Sequence, residues 1–211
     1  SMERRRMNHL STLLPSLLAL GSAFLLITLG LWVSGFHVTT VFAALLNGAG
    51  GDTYRLAETF VKACPLLLTG LSVTLALHAG AWNIGAEGQL LIGALMAAWF
   101  GSYTSAMSPG LAITIVCFAA MCGGALWALC AALLKNTRGV SEVISTIMLN
   151  FIAASLVSYC VHGPLMEAGA QYPQTDPLPL AAQLPRLFPP TRLHLGILLG
   201  LITAVGVHAF L

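Results

Sequence analysis

Apolar positions in this sequence come in long, near-continuous runs separated by short polar breaks. No charged side chain occurs between Arg6 and Asp52, Lys62 and Glu87, Glu87 and Lys135, or Glu142 and Glu167, nor after Arg192. A helix crossing about 30 Å of hydrocarbon, at about 1.5 Å per residue, needs about 20 residues. The runs predict six such helices, near Leu13–Val33, Leu56–Ala79, Gln89–Ser105, Leu111–Leu134, Ser141–Val161 and Leu193–Leu211. Ser108-Pro109-Gly110 supplies the turn between the third and fourth. Strands of a membrane barrel would instead alternate over about ten residues. The expected fold class is an all-α integral membrane protein with about six transmembrane helices and a broken-helix segment between spans two and three. It is read as a single transmembrane domain over 1–211: a cytoplasmic N-terminus (1–12), five spans (13–162), an extracytoplasmic Pro-rich loop (163–192) and a sixth span (193–211) that stops within an apolar run.

Composition agrees. Of 211 residues, 57% are hydrophobic and 8% charged, against about 25% charged in an ordinary soluble domain. So few charges cannot coat a water-facing surface of this size, and a soluble globule or a disordered chain is excluded. The nine basic residues are scattered and the net charge is +2, so no basic face for nucleic acid is expected. Arg4, Arg5 and Arg6 flank the first span, and cytoplasmic loops carry the excess of Lys and Arg. The N-terminus is therefore expected inside, as are Lys135 and Arg138. The apolar stretch Leu13–Val33 exceeds the 7–15 residues of a signal-peptide core, so the first run is read as a retained span. Ser1 is read as an addition ahead of a natural start at Met2 or Met7.

Chemistry-bearing motifs are scarce. Cys64, Cys117, Cys122, Cys130 and Cys160 form no C-x-x-C pair and read as small apolar residues. The six histidines show no metal-ligand spacing. There is no G-x-x-x-x-G-K-[ST] loop for ATP phosphates and no G-x-S-x-G nucleophile string, so no catalytic residue, metal or cofactor is assigned. Gly93, Ala97 and Gly101 recur every four residues, as do Ala120, Gly124, Ala128 and Ala132. Small residues so spaced let helix backbones approach closely and predict a compact bundle.

Three polar exceptions inside the apolar runs carry the functional expectations. The first is Ala79–Gln89, where three glycines accompany Asn83, Glu87 and Gln89. Non-helical backbone at membrane depth survives only buried in protein or facing water. Glu87 is expected either as a hydrogen-bonded cap near a helix start, with Asn83 and Gln89 as partners, or as part of a gate. The second is the fifth span, where every fourth residue gives Glu142, Thr146, Asn150, Ala154, Ser158 and His162. This row predicts a polar stripe facing partner helices or a translocation path. The third is Gly163–Arg192, which holds seven of the ten prolines. It is read as a lid or docking surface, with a disordered linker as the alternative, and Leu180, Leu184, Leu187 and Phe188 could form one short helix on the membrane surface.

These strings carry a resemblance. Leu68-Thr-Gly-Leu-Ser-Val-Thr-Leu-Ala-Leu followed by Asn83-Ile-Gly-Ala-Glu-Gly-Gln89 resembles permease subunits of bacterial ABC importers in the simple-sugar and nucleoside branch. So do Gly139-Val-Ser-Glu-Val-Ile-Ser-Thr-Ile-Met-Leu-Asn150 and Gly163-Pro164 opening onto Pro173-Gln-Thr175. The resemblance runs from about Leu56 onward and points to nucleoside-type members. It implies a permease of the bacterial inner membrane working with an ABC ATPase subunit that binds the ATP, a second permease subunit and an extracytoplasmic substrate-binding protein. It also implies further spans and a coupling helix with a Gly-x-Asn-Pro-x-Ala-Ala string, which this sequence lacks, so the chain is expected to match the N-terminal part of such a permease. Substrate-path candidates are Asn83, Glu87, Gln89, Glu142, Thr146, Asn150 and Ser158. The alternatives are a secondary transporter of a small polar solute, which would carry internal repeats, or a non-transporting membrane fragment.

Overall fold

In the computed structural model, residues 2–211 are described, with side chains from Pro15 onward. Seven α-helices follow in order: α1 (Met2–Val33), α2 (Val38–Gly50), α3 (Thr53–His78), α4 (Ala86–Gly101), α5 (Pro109–Arg138), α6 (Glu142–His162) and α7 (Gly196–Phe210). The stretch Pro15–Val33 of α1, with α3, α5 and α6, is long and apolar enough to cross a membrane. α4, with 16 residues, and α7, with 15, are shorter. The all-α expectation holds, with four differences in the elements.

The helix α2 was not anticipated. Its residues sit inside the uncharged run that ends at Asp52, and lack of charge alone does not divide one run into two helices. Gly35, at φ +79°, turns the chain after α1. The third span begins at Ala86 rather than Gln89, and its end tightens into a 3₁₀ turn, Ser102–Thr104. The sixth starts at Gly196 instead of Leu193, because Leu193 pairs with Leu187 in the preceding loop.

The chain forms two compact units, Ser1–Thr59 and Phe60–Leu211. In the first, Phe24 stacks on Phe42 at 4.8 Å. There the α2 C-terminus is held by Arg55, which donates to the Asn47 carbonyl, and by Thr59, which donates to that of Ala49. The second unit is built on α4, which lies against both α5 and α6. Its core joins Ile92, Leu95, Ala153 and Cys160, with Trp127 and Val157 alongside. The small-residue rows act as expected: a Cβ on Gly93 would lie 3.0 Å from the Ala120 carbonyl oxygen, and one on Gly124 would lie 3.2 Å from that of Gln89. Backbone therefore meets backbone, the close approach by which helices associate without a hydrophobic drive between them.

The Pro-rich loop folds back instead of forming a surface helix. Only Leu180–Ala182 make a 3₁₀ turn, and Ala182 is buried against Ala112 and Val116 of α5. Leu187 donates to the Leu193 carbonyl and Leu195 to that of Pro185, so the end of the stretch expected to be helical is one arm of a narrow hairpin. Pro179, Pro185, Pro189 and Pro190 withhold the N–H groups that a helix would need there.

Candidate functional site

The break between α3 and α4 begins with a Schellman cap. Gly80 sits at φ +77°; its N–H bonds the Leu77 carbonyl and that of Ala81 bonds the Ala76 carbonyl. The backbone then runs unwound from Ala81 to Gly85 before α4 starts. Unwound peptide groups in an apolar setting need partners, and α6 provides them. Glu142 accepts from the Trp82 N–H at 3.0 Å. Asn150 works in both directions: its Nδ2 donates to the Ile84 carbonyl at 3.0 Å, and its Oδ1 accepts the Gly88 N–H at 2.9 Å. An amide carries its donor and its acceptor on separate atoms of one short side chain, so it can serve both groups at once.

Between these two clasps the contact is steric. A Cβ on Gly85 would lie 3.1 Å from Cβ of Thr146, and one on Gly88 would lie 2.8 Å from Asn150 Oδ1 and 3.1 Å from Trp127 Nε1. Thr146 is buried and returns its hydroxyl proton to the Glu142 carbonyl. Glu142 is also ion-paired with Lys135 at the end of α5, which ties the α5–α6 turn to the unwound loop.

On the other side of the loop, Asn83 and Gln89 exchange side-chain hydrogen bonds, at 2.9 Å and 3.3 Å, and Asn83 also donates to Ser72 Oγ of α3 at 3.2 Å. Gln89, Ser72 and Thr69 line a groove of about 590 Å³ between α3, α4 and α5. A smaller hollow of about 160 Å³ beneath Trp82, Asn83, Glu142 and Thr146 shares Gln89 and Ala128 with it. The polar lining of the larger groove carries amides and hydroxyls and no charge.

Five of the seven candidates therefore gather: Asn83, Gln89, Glu142, Thr146 and Asn150. Two do not. Glu87 is exposed in the first turn of α4, and the partners expected for it, Asn83 and Gln89, are bonded to each other. Ser158 is exposed and lies next to His162, whose Nδ1 is 2.8 Å from the Ser158 carbonyl. The stripe fails there for a geometric reason. A straight helix turns about 100° per residue, so each step of four residues drifts by about 40°. The row starts packed at Glu142, Thr146 and Asn150 and has turned outward by Ala154, Ser158 and His162. The packed line on the second half of α6 is instead Ala153, Val157 and Cys160.

Four contributors were missed: Trp82, Ser72, Lys135 and Trp127. Opposite charges seven residues apart across a short turn made the Lys135–Glu142 pair legible. Nothing in the sequence marks Trp127, whose Nε1 is buried without a hydrogen-bond partner beside Gly88.

Residues 55–211 match the family described as branched-chain amino acid transport system / permease component. The chain is 35% identical over 207 residues to the guanosine ABC transporter permease protein NupP of Bacillus subtilis, covering 95% of this chain and 57% of that protein. It is 36% identical over 181 residues to the glucose ABC transporter permease protein TsgB13 of Haloferax volcanii (82% and 47%). The nucleoside ABC transporter permease protein NupB of Lactococcus lactis subsp. cremoris is 32% identical over 155 residues (74% and 43%). The chain thus spans about half the length of these curated relatives. No solved structure matches it. With its apolar helices and a family match that takes in the unwound loop and the α6 clasp, this chain is a multi-pass membrane protein that belongs to the branched-chain amino acid transport system / permease component family.

Proposed function

We propose that the chain builds part of the membrane path of an ATP-driven importer for nucleosides or simple sugars. In this reading it sits in the bacterial inner membrane with its N-terminus cytoplasmic. A separate ABC ATPase binds the ATP, a second permease completes the path, and an extracytoplasmic binding protein delivers the substrate. The chain itself carries out no covalent chemistry and holds no cofactor.

The observation that carries the reading is the loop Ala81–Gly85, unwound yet held on both sides, beside a groove lined by Thr69, Ser72 and Gln89. A neutral, hydroxyl-bearing solute needs donors and acceptors along its way and no counter-ion, and amides and hydroxyls supply both. Asn83 and Gln89 border the path; Glu142, Thr146 and Asn150 position the loop. Relatives named for guanosine, nucleoside and glucose support the same class of solute.

The test is reconstitution of the complete transporter with its ATPase and binding protein. ATP-dependent uptake of labelled guanosine, with unlabelled glucose as competitor, is expected to identify one of them as substrate. Failure to transport or bind either removes the reading.

Two further outcomes are expected. In a background cleared of its five cysteines, Tyr172→Cys, on an exposed loop residue, labels with an impermeant reagent in intact cells, whereas Thr137→Cys labels only after the membrane is opened. Labelling of both from one side overturns the topology. Glu87→Gln, at an exposed first-turn position, shifts stability by no more than about 1 kcal/mol, the size of helix-dipole effects, and leaves uptake intact. Collapse of uptake in a well-assembled complex would assign Glu87 to the gate.

A further inference from the structure

The Pro-rich hairpin brings cationic side chains over an apolar surface. Arg186 and Arg192, with His194, stand along one edge of a groove of about 450 Å³ whose other wall includes Ile113, Cys117 and Ala120 of α5. The loop is fixed on both sides of the turn: Ala182, just before the hairpin, is buried on α5, Thr191 is 3% exposed, and the Arg186 and His194 backbones pair in antiparallel register.

Depth distinguishes this groove from an ordinary surface cleft. α5 begins at Pro109, so Ile113 lies about 6 Å, Cys117 about 12 Å and Ala120 about 17 Å along the helix at about 1.5 Å per residue. Half of a hydrocarbon core is about 15 Å. With Pro109 set at the membrane edge, that wall spans about one leaflet, and the arginines stand on the loop that joins the ends of α6 and α7. A soluble acidic protein would meet the arginines but leave the apolar shaft unfilled. A neutral lipid would fill the shaft but gain nothing from the guanidinium groups, which favour phosphate oxygens.

We propose that this groove holds an anionic phospholipid of the surrounding bilayer. Its phosphate lies at Arg186 and Arg192, with His194 completing the rim, and one acyl chain runs down Ile113, Cys117 and Ala120. The lipid ties the hairpin to α5, and the inference stands independently of which solute is carried.

The experiment uses the full-length transporter in nanodiscs of equal parts phosphatidylglycerol and phosphatidylcholine. Retained lipid is counted by native mass spectrometry after release into mild detergent. Phosphatidylglycerol is expected to be enriched over phosphatidylcholine in the parent complex. Arg186→Gln lowers that enrichment about fivefold, one basic residue's worth near a charged surface, and leaves the backbone pairing in place. Cys117→Trp fills the shaft and removes the retained lipid while both arginines remain. Arg138→Gln, at the opposite end of α5, changes nothing. Limited proteolysis of the loop checks that each variant keeps the hairpin. Retained lipid at the bulk ratio in the parent overturns the proposal. So does an Arg186→Gln variant that keeps its lipid but loses affinity for the loaded binding protein, which would assign the arginines to protein docking.

Discussion

Asn150→Leu is expected to abolish uptake and to loosen the loop between α3 and α4. The substitution removes the acceptor of the Gly88 N–H and the donor to the Ile84 carbonyl in one step. Gly88 is buried in the first turn of α4, where the helix has no carbonyl of its own to satisfy that N–H. A buried donor left without a partner costs about 1–3 kcal/mol, and with the Ile84 carbonyl losing its donor as well the sum is about 2–4 kcal/mol. Asn150→Asp keeps the acceptor but sets a second oxygen against the Ile84 carbonyl, so it should fall between the parent and the Leu variant. Leu149→Ala is the control: half-buried, it should lose about 1–2 kcal/mol through packing and retain uptake. Uptake in proteoliposomes and the thermal midpoint of the purified complex measure the two effects. Parent-level uptake by Asn150→Leu would take the clasp out of the mechanism.

Gly88→Val should be the most damaging change at the site. Its Cβ alone would lie 2.8 Å from Asn150 Oδ1, 3.1 Å from Trp127 Nε1 and 3.2 Å from Asn150 Cα. The first two contacts can move with their side chains; the third belongs to the backbone of α6 and cannot yield without shifting the helix. Overpacking of this kind costs about 1–3 kcal/mol, and the two branches of valine add to it, so about 3 kcal/mol or more is expected, with little complex recovered from membranes. Gly110→Ala is the reference, since a Cβ there meets nothing within 4 Å; it should change stability by less than about 1 kcal/mol, in the direction of gain. The two glycines look alike in the sequence, so equal recovery of the two variants would refute the packing described at Gly88.

Some of this site was open to reading from the residues alone. Asn83, Gln89, Glu142 and Asn150 stand out because polar side chains in apolar runs are costly unless partnered. Gly80, Gly85 and Gly88 mark an interruption because clustered glycines release the backbone. Which polar group would meet which was not legible. Glu87 and Gln89 are two residues apart, hence on different sides of α4, and only the placement of α3 and α6 decides that Gln89 turns to Asn83 while Glu87 faces out. Ser158 shares the four-residue spacing of Asn150 yet not its surroundings, because the drift of the row is invisible until the partner helix is in place.

Length and hydropathy by themselves determined the all-α membrane class, most span positions, and the break after α3, because lipid admits few ways of satisfying a backbone. The spacing of Gly93, Gly124 and Ala120 determined that helices would meet closely. The tertiary structure alone decided that α2 is a separate helix, that the prolines of 163–192 give a hairpin on α5, and that α6 clasps the unwound loop through Glu142 and Asn150. The physical reason is common to all three. Spans and breaks depend on residues near one another in the chain, whereas the Trp82–Glu142 and Gly88–Asn150 bonds join positions 60 and 62 residues apart, and no local pattern encodes a partner that distant.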